Sequence, residues 1–371
     1  MKTRIRLHRS TFLVPLLLGA LSFTLHGCCF HDDDNWDDAE TPRVDEVKEP
    51  STFGVNVRLT FDGTWALYRE VINSRNEESV EQLSDESINA LSDDTHQRRY
   101  IVLAYPANTL SDPERFVFTK SSDGSWNSTL EVKLEEGDYD FYVWADYVDV
   151  GSEEDKYQTT SDFEQIALMM PYSGTDEFRD AFRGFKKGVS IADGTELAEL
   201  QTVDISMERP LARFRVITTD VDEFANTVLG NLGAGDLDGY NSSYEYVAAL
   251  LKNYTIRFYY TGFVPSVYDL FSDAPVDSRT DLYFDGVVTR ISDSEAEIGF
   301  DYVFVGSLPT SVSLAMGVYD RNGDLITMSS SMDVPLQRGG ITVVTGKFLS
   351  SQSGSGATIN PQFSGDYNLK Y

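Results

Sequence analysis

Ser128-Thr129-Leu130-Glu131-Val132-Lys133-Leu134, then Glu136-Gly137-Asp138, then Tyr139-Asp140-Phe141-Tyr142-Val143-Trp144-Ala145-Asp146-Tyr147 decide the fold class of this chain. The first run alternates apolar and polar residues, the period of a strand with one face on a core and one in water. A turn cluster follows, and the second run is built from aromatic and β-branched residues that suit a pleated surface. The same texture surrounds it. Val55 to Phe61 ends at Asp62-Gly63, Tyr100 to Tyr105 stops at Pro106, and Arg115 to Thr119 precedes Ser122-Asp123-Gly124-Ser125. Turn signals at this short spacing predict an all-β fold built as an antiparallel β-sandwich.

A second strand series starts at Val203 to Met207 and runs through Leu211 to Ile217, Thr255 to Tyr260, Leu282 to Arg290, Glu297 to Val305, Ser311 to Asp320, Leu325 to Met332 and Ile341 to Leu349. Pro210 interrupts it where a central strand would not tolerate proline, so a passage between sheets or domains is expected there. Helical interruptions are few and short. Glu77 to Leu91 carries Val80, Leu83, Ile88 and Leu91 at a rough helical spacing and reads as a helical insertion, and Phe178, Phe182 and Phe185 read as a short capping helix. Further short helices are expected around Val228 and over Tyr246 to Leu251.

The N-terminus carries the address. Lys2, Arg4, Arg6 and Arg9 precede an apolar run from Phe12 to Leu25, the parts of a secretory signal. Leu25-His26-Gly27-Cys28 resembles the bacterial lipobox, which implies cleavage before Cys28 and lipidation of its thiol. The acyl methylenes, at roughly 0.8 kcal/mol each, would hold the body on a bilayer. Five aspartates within Asp32 to Asp38 cannot bury themselves and form a solvated tether, and they resemble the acidic export tag of surface lipoproteins in Bacteroidetes.

Charge and composition narrow the function. Without residues 1–27 the chain has 26 basic against 60 acidic residues, a formal charge of −34. Nucleic acid is excluded as a partner, because affinity for phosphate backbones comes from Lys and Arg. Of the 4 histidines only His96 lies in the body, and of the 2 cysteines Cys28 is taken by lipid, leaving Cys29 without a mate. Histidine triads, zinc sites and thiol chemistry lose their residues, and His96 reads as a solvated surface side chain. Neither catalytic residues, nor a metal site, nor a cofactor is expected.

Three features invite a sharper reading. Asp320-Arg321-Asn322-Gly323-Asp324 mimics the opening of a calcium loop, but Ser331 stands where the bidentate glutamate belongs, and Asn322-Gly323 between two strands signals a hairpin. Asp285, Asp293, Glu295 and Glu297 could supply a glycosidase pair, yet among 60 acids a solvated face is the better reading. Trp65, Trp126 and Trp144 could stack on sugar; Trp144 belongs in core, and Trp126 beside its glycine turn is the exposed candidate.

Five segments together resemble the fimbrillin-related lipoproteins of Bacteroidetes, the family of type V pilus subunits and anchors. They are the lipobox with its tether, Tyr139 to Tyr147, Arg209-Pro210-Leu211-Ala212-Arg213-Phe214, Val334-Pro335-Leu336-Gln337-Arg338 through Gly346-Lys347-Phe348-Leu349, and Ile359 to Tyr367. The resemblance implies two tandem transthyretin-like antiparallel β-sandwich domains with short helical insertions. The expected organisation is a signal peptide at 1–27, a tether at 28–52, an N-terminal domain at 53–208 and a C-terminal domain at 209–371. It further implies a lipid-anchored, cell-surface subunit of a fimbria at the outer membrane, a stalk, tip or anchor component, whose partners are other fimbrial subunits joined by protease-triggered strand exchange. Arg43, Arg58 and Arg69 are the candidate cleavage positions. Tyr367, Leu369 and Tyr371 alternate with polar residues beyond a Ser/Gly link and form the candidate donor strand. The alternative is a surface lipoprotein that binds a glycan or host ligand.

Overall fold

The computed structural model describes residues 51–350 except 62–63, 72–78, 88–93, 108–111, 123–124, 193–199, 230–253 and 293. Cys28, Arg43, the tether up to residue 50, Tyr246 to Leu251 and the 351–371 tail therefore lie outside the described residues, while Thr52, expected to end the tether, already belongs to the first strand. Residues 50–371 belong to one compact unit, and the described part is nearly all strand, arranged as stacked sheets.

The outermost sheet has three strands, with β1 (Thr52–Phe61) in the middle, antiparallel to β6 (Ser128–Glu135) and parallel to β10 (Gln201–Met207). Facing it are four antiparallel strands in the order β5 (Glu114–Ser121), β4 (His96–Pro106), β7 (Gly137–Asp149), β9 (Phe182–Ile191). The alternation in β6 is obeyed residue by residue: Leu130, Val132 and Leu134 are buried, while Thr129, Glu131 and Lys133 face out. Although only Glu136 separates them, β6 and β7 lie in different sheets, so the turn is a crossing between layers. Val55, Val57, Leu130, Phe141, Val143, Phe182 and Ile205 close the first core between these layers. At Gly184 a Cβ would lie 2.8 Å from the Ser206 carbonyl oxygen, so glycine is what lets β9 approach β10 and close that side.

Beyond the four-stranded layer lies a six-stranded sheet: β16 (Thr289–Arg290), β17 (Ala296–Phe304), β11 (Leu211–Thr218), β21 (Gly340–Gly346), β2 (Thr64–Val71), β3 (Ser79–Ser87). Its outer face packs on β15 (Tyr283–Asp285), β12 (Thr255–Tyr260), β18 (Thr310–Tyr319) and β19 (Leu325–Met328), with β20 (Met332–Leu336) also paired to β18. Phe214, Val216, Phe258, Ile298, Leu314, Met316 and Val334 fill that second core, and α1 (Val221–Leu229) covers part of it through Val221 and Phe224. A third core joins the two inner layers. Ile101, Leu103, Tyr142 and Trp144 meet Leu211, Phe300, Phe304 and Ile341, with Ile166 and Tyr268 contributed by the small sheet of β14 (Ala274–Arg279), β13 (Val264–Asp269) and β8 (Ile166–Ala167) and Leu270 by the turn after β13. Because both of its faces are covered, β7 is buried almost without interruption, which is what its near-continuous apolar run requires.

Several expectations are corrected. Three pairings are parallel, β1 with β10, β11 with β21 and β2 with β21, so the sheets are not purely antiparallel. The segment expected to be helical from Glu77 contains the strand β3, registered on β2 with Val71 opposite Ser79. A ladder to a neighbouring strand outweighs a rough helical spacing. Of the phenylalanine helix only one 3₁₀ turn exists, η1 (Glu177–Arg179), after which Asp180 is extended and β9 begins. Phe182 enters the first core while Phe185, an odd number of strand positions later, is exposed. Helix α1 occupies the region around Val228. The hairpin β13–β14 was not visible as strands, since Pro265, Pro275 and a run of polar residues dilute its pattern. β2 and β3, from the 53–208 segment, pair alongside β21 rather than in the first sandwich.

Candidate functional site

The described residues place their densest chemistry in the seam between the sandwiches, on Glu177-Phe178-Arg179-Asp180-Ala181-Phe182-Arg183. Asp176 starts it, its carboxylate accepting the Phe178 amide at 3.0 Å, so the chain turns once and then extends into β9. Four charged residues of this stretch each reach a partner beyond position 208. The Glu177 carboxylate accepts from an Arg213 Nη at 2.5 Å and from the Tyr302 hydroxyl at 2.9 Å. Arg179 is paired with Asp301, both buried, and lies 4.5 Å from the centre of the Tyr172 ring. Asp180 is paired with Arg209 at 2.9 Å, with that guanidinium 4.5 Å from the Phe182 ring centre. Arg183 pairs with Asp273 at 2.6 Å, and Asp273 in turn holds Arg338 at 2.8 Å.

Buried ions must be compensated, and Asp301 shows how. Asp301 also accepts from the Tyr172 hydroxyl at 2.5 Å, the Tyr260 hydroxyl at 2.6 Å and the Tyr302 amide at 2.7 Å. Burial pushes the Asp301 and Asp180 carboxyls up, against the pull of Arg179 and Arg209. Burial works against the Arg179 charge too, but Asp301 and the neighbouring tyrosines outweigh it and hold the guanidinium protonated. Such a network fixes orientation: paired carboxylates and guanidinium forks accept one placement of the Glu177 to Arg183 stretch against β11 and β17. A second buried node, Arg99 with Asp146 at 2.6 Å and Asp155 at 2.9 Å, ties β4 and β7 to the 150s loop.

The residues singled out from sequence are scattered. Arg58 lies on β1, exposed, and is paired with Asp204 of β10 at 2.5 Å. Arg69 lies on β2, its backbone registered between Val343 and Glu81. Both peptide bonds therefore sit inside ladders. Trp126 is not an exposed platform: it is 4% exposed and packed among Phe61, Tyr100, Tyr147 and Phe182. Trp144 is core. His96 is half-buried rather than solvated, its ring stacked 3.8 Å from that of Phe178. The Asp320 carboxylate caps its hairpin by accepting the amides of Asn322 at 2.8 Å and Asp324 at 2.9 Å, with Gly323 at φ 85°. Asp285 is spent on Arg257 and Glu297 on Arg215; Asp293 lies outside the described residues. The seam itself was missed. Its readable signal was Glu297 and Asp301 inside an otherwise apolar strand, because carboxylates on a strand buried on both faces need cationic partners.

A second arrangement concerns β1. Val55, Val57 and Leu59 are fully buried in the first core, and β1 is hydrogen-bonded on both edges, Val57 standing opposite Val203 and Leu130. At the other end of the described chain, the Asp220 carboxylate accepts the amides of Leu349 at 3.0 Å and Ser350 at 2.7 Å, fixing the point from which the tail departs.

Residues 50–371 match the model of a family of unknown function, DUF6562. The chain belongs to that family. No curated protein matches it. Among solved structures, this DUF6562 member is similar to the fimbrial anchor protein Mfa2 from Porphyromonas gingivalis, at 13% identity and a TM-score of 0.37 over 75% of this chain and 81% of that one. It is also similar to the tip fimbrial protein Mfa3 of the same organism, solved with a C-terminal truncation, at 11% identity and a TM-score of 0.36 over 76% and 81%. A candidate polysaccharide-binding protein from Bacteroides thetaiotaomicron matches at 13% identity and a TM-score of 0.40 over 74% and 79%. Likenesses this distant do not carry function across to the DUF6562 chain.

Proposed function

We propose that this protein is a lipid-anchored, cell-surface structural subunit of a fimbria, held at the outer membrane through Cys28 and joined to other subunits by strand exchange. The observation that carries this reading is the place of β1. The first strand of the body is the middle strand of its sheet, so removing it opens a gap one strand wide between β6 and β10. Both walls of that gap present unpaired backbone groups, at the usual strand spacing of about 4.8 Å to a new occupant, and its floor is the first core. An incoming strand must supply apolar side chains at alternate positions, where Val55, Val57 and Leu59 now sit. Tyr367, Leu369 and Tyr371 have that period.

In a stalk subunit, cleavage by a trypsin-like protease at Arg69, beyond β1, releases the whole strand, a cut at Arg58 releases all of it but Leu59 to Phe61, and a cut at Arg43 removes only the segment before it; in an anchor, β1 and the lipid stay. The division into bodies at 53–208 and 209–371 belongs to the same reading, with the seam holding them as one rigid unit along a fibre. Deleting Asp366 to Tyr371 should leave a folded monomer that no longer joins other subunits, and limited trypsinolysis of the full chain should promote association. Loss of the thermal transition in the truncated protein would place the tail in its own core and overturn the donor role.

A further inference from the structure

A cleft of about 510 Å³ opens on the seam side of the six-stranded sheet, beside η1. That volume is within the range of small-molecule sites, about 300–1,000 Å³. Its charged lining is Arg213, Arg215, Arg290, Glu177 and Glu297, three cations against two anions in a chain of formal charge −30. Arg213 and Arg215 are alternate residues of β11 and share a face, and each is steadied by one carboxylate, Glu177 at 2.5 Å and Glu297 at 2.5 Å. Arg213 is also set over Phe300, 4.2 Å from the ring centre. Burial opposes its charge, but Tyr302, Glu177 and Glu297 outweigh that and keep it protonated. Its Nε is buried and has no hydrogen-bond partner among the described residues. Buried polar atoms are seldom left in that state without a reason.

The chemistry of the lining selects its ligand. Arg215 gives its Nε to Glu297, and its two Nη groups are the fork that suits a carboxylate or another oxyanion in a planar, two-point geometry. Glu177 and Glu297 accept hydrogen bonds and repel a bare anion, so the ligand must also bring hydroxyl donors. Val287 and Ile291, 58% and 46% exposed, flank the opening with apolar surface. A compact body with one carboxylate, several hydroxyls and an apolar face is a uronic or sialic acid residue. We infer that this cleft binds the acidic sugar of a glycan. This goes beyond the strand-exchange reading and stands or falls separately from it, because no residue of β1, β6 or β10 lines the cleft.

Titration calorimetry with glucuronate as probe, and glucose as its neutral counterpart, tests the inference on the full chain. Glucuronate should bind saturably and glucose at least about tenfold more weakly, the order expected for a lost charge-assisted contact. Arg215→Gln and Arg290→Gln should each weaken glucuronate about tenfold while leaving the thermal transition in place. Arg257→Gln, at an ion pair with Asp285 outside the cleft lining, should change nothing. Equal binding of the two sugars, no saturable binding of glucuronate, or unchanged affinity in both cleft variants would overturn the assignment.

Discussion

Replacing Arg179 by alanine isolates the seam. The substitution leaves the Asp301 carboxylate fully buried without its cation. Removing one partner of a buried pair costs about 3–5 kcal/mol. Asp301 keeps three donors, the hydroxyls of Tyr172 and Tyr260 and the Tyr302 amide, which places the loss near the lower end, about 3 kcal/mol. For a body spanning residues 50–371 each kcal/mol moves the melting midpoint by about 1.5 °C, so calorimetry should record a drop of about 4–5 °C. Arg179→Met combined with Asp301→Asn should recover part of it, since no orphaned charge remains and the amide oxygen still accepts from the Tyr172 and Tyr260 hydroxyls. Arg257→Ala, which breaks the partly exposed pair with Asp285, should cost less than about 1 kcal/mol. An Arg179→Ala midpoint within about 2 °C of the parent, or a double variant no better than the single, would refute the view that the seam is held by compensated buried charge.

Three further outcomes follow from named residues. Burial pushes the Asp273 carboxyl up, but Arg338, Tyr268 and Arg183 outweigh it and leave it below the ordinary aspartate value; its stabilisation is therefore complete above the unfolded pKa of about 3.9 and lost as pH falls through the lower folded one, so Asp273→Asn should flatten the acid limb of a stability–pH curve measured by urea unfolding. Asp146, Asp180 and Asp301, raised by burial, act in the opposite sense, taking up protons in the folded state first, and do not drive acid unfolding. Cys28→Ser should yield a precursor that neither incorporates labelled palmitate nor partitions into detergent, and labelling of that variant would refute lipidation at this position. Replacing the five aspartates of Asp32 to Asp38 with alanine should hide the body from protease added outside the cell, whereas unchanged cleavage would reduce the segment to a spacer.

What could be read from sequence was what depends on local period. β6 alternates and is half-buried; β7 is nearly continuous and is buried on both faces; Asn322-Gly323 sits in a hairpin loop. What could not be read depends on contacts distant in the chain. The parallel pairing of β1 with β10 joins Val57 to Val203, and no local pattern announces it. Trp126, beside a glycine turn, has the sequence surroundings of an exposed ring, yet four aromatic neighbours from distant strands enclose it. The seam was hidden by composition: in a chain with 60 acidic residues, Asp180 and Asp301 look like any solvated carboxylate until Arg209 and Arg179 are placed beside them.

The exchange of β1 for a neighbour's tail is tested most directly by disulfide trapping between two chains that both begin at Phe30, so that neither native cysteine is present. One carries Glu131→Cys, on the outward face of β6 where Asn56 of β1 now stands opposite, and the other carries Asn368→Cys. After limited trypsinolysis of the mixture, oxidation should link the two chains through this pair, and trapping should disappear when trypsin is omitted. If the two chains fail to cross-link while a single chain bearing both cysteines closes on itself, the tail completes its own fold and the strand-exchange account is contradicted.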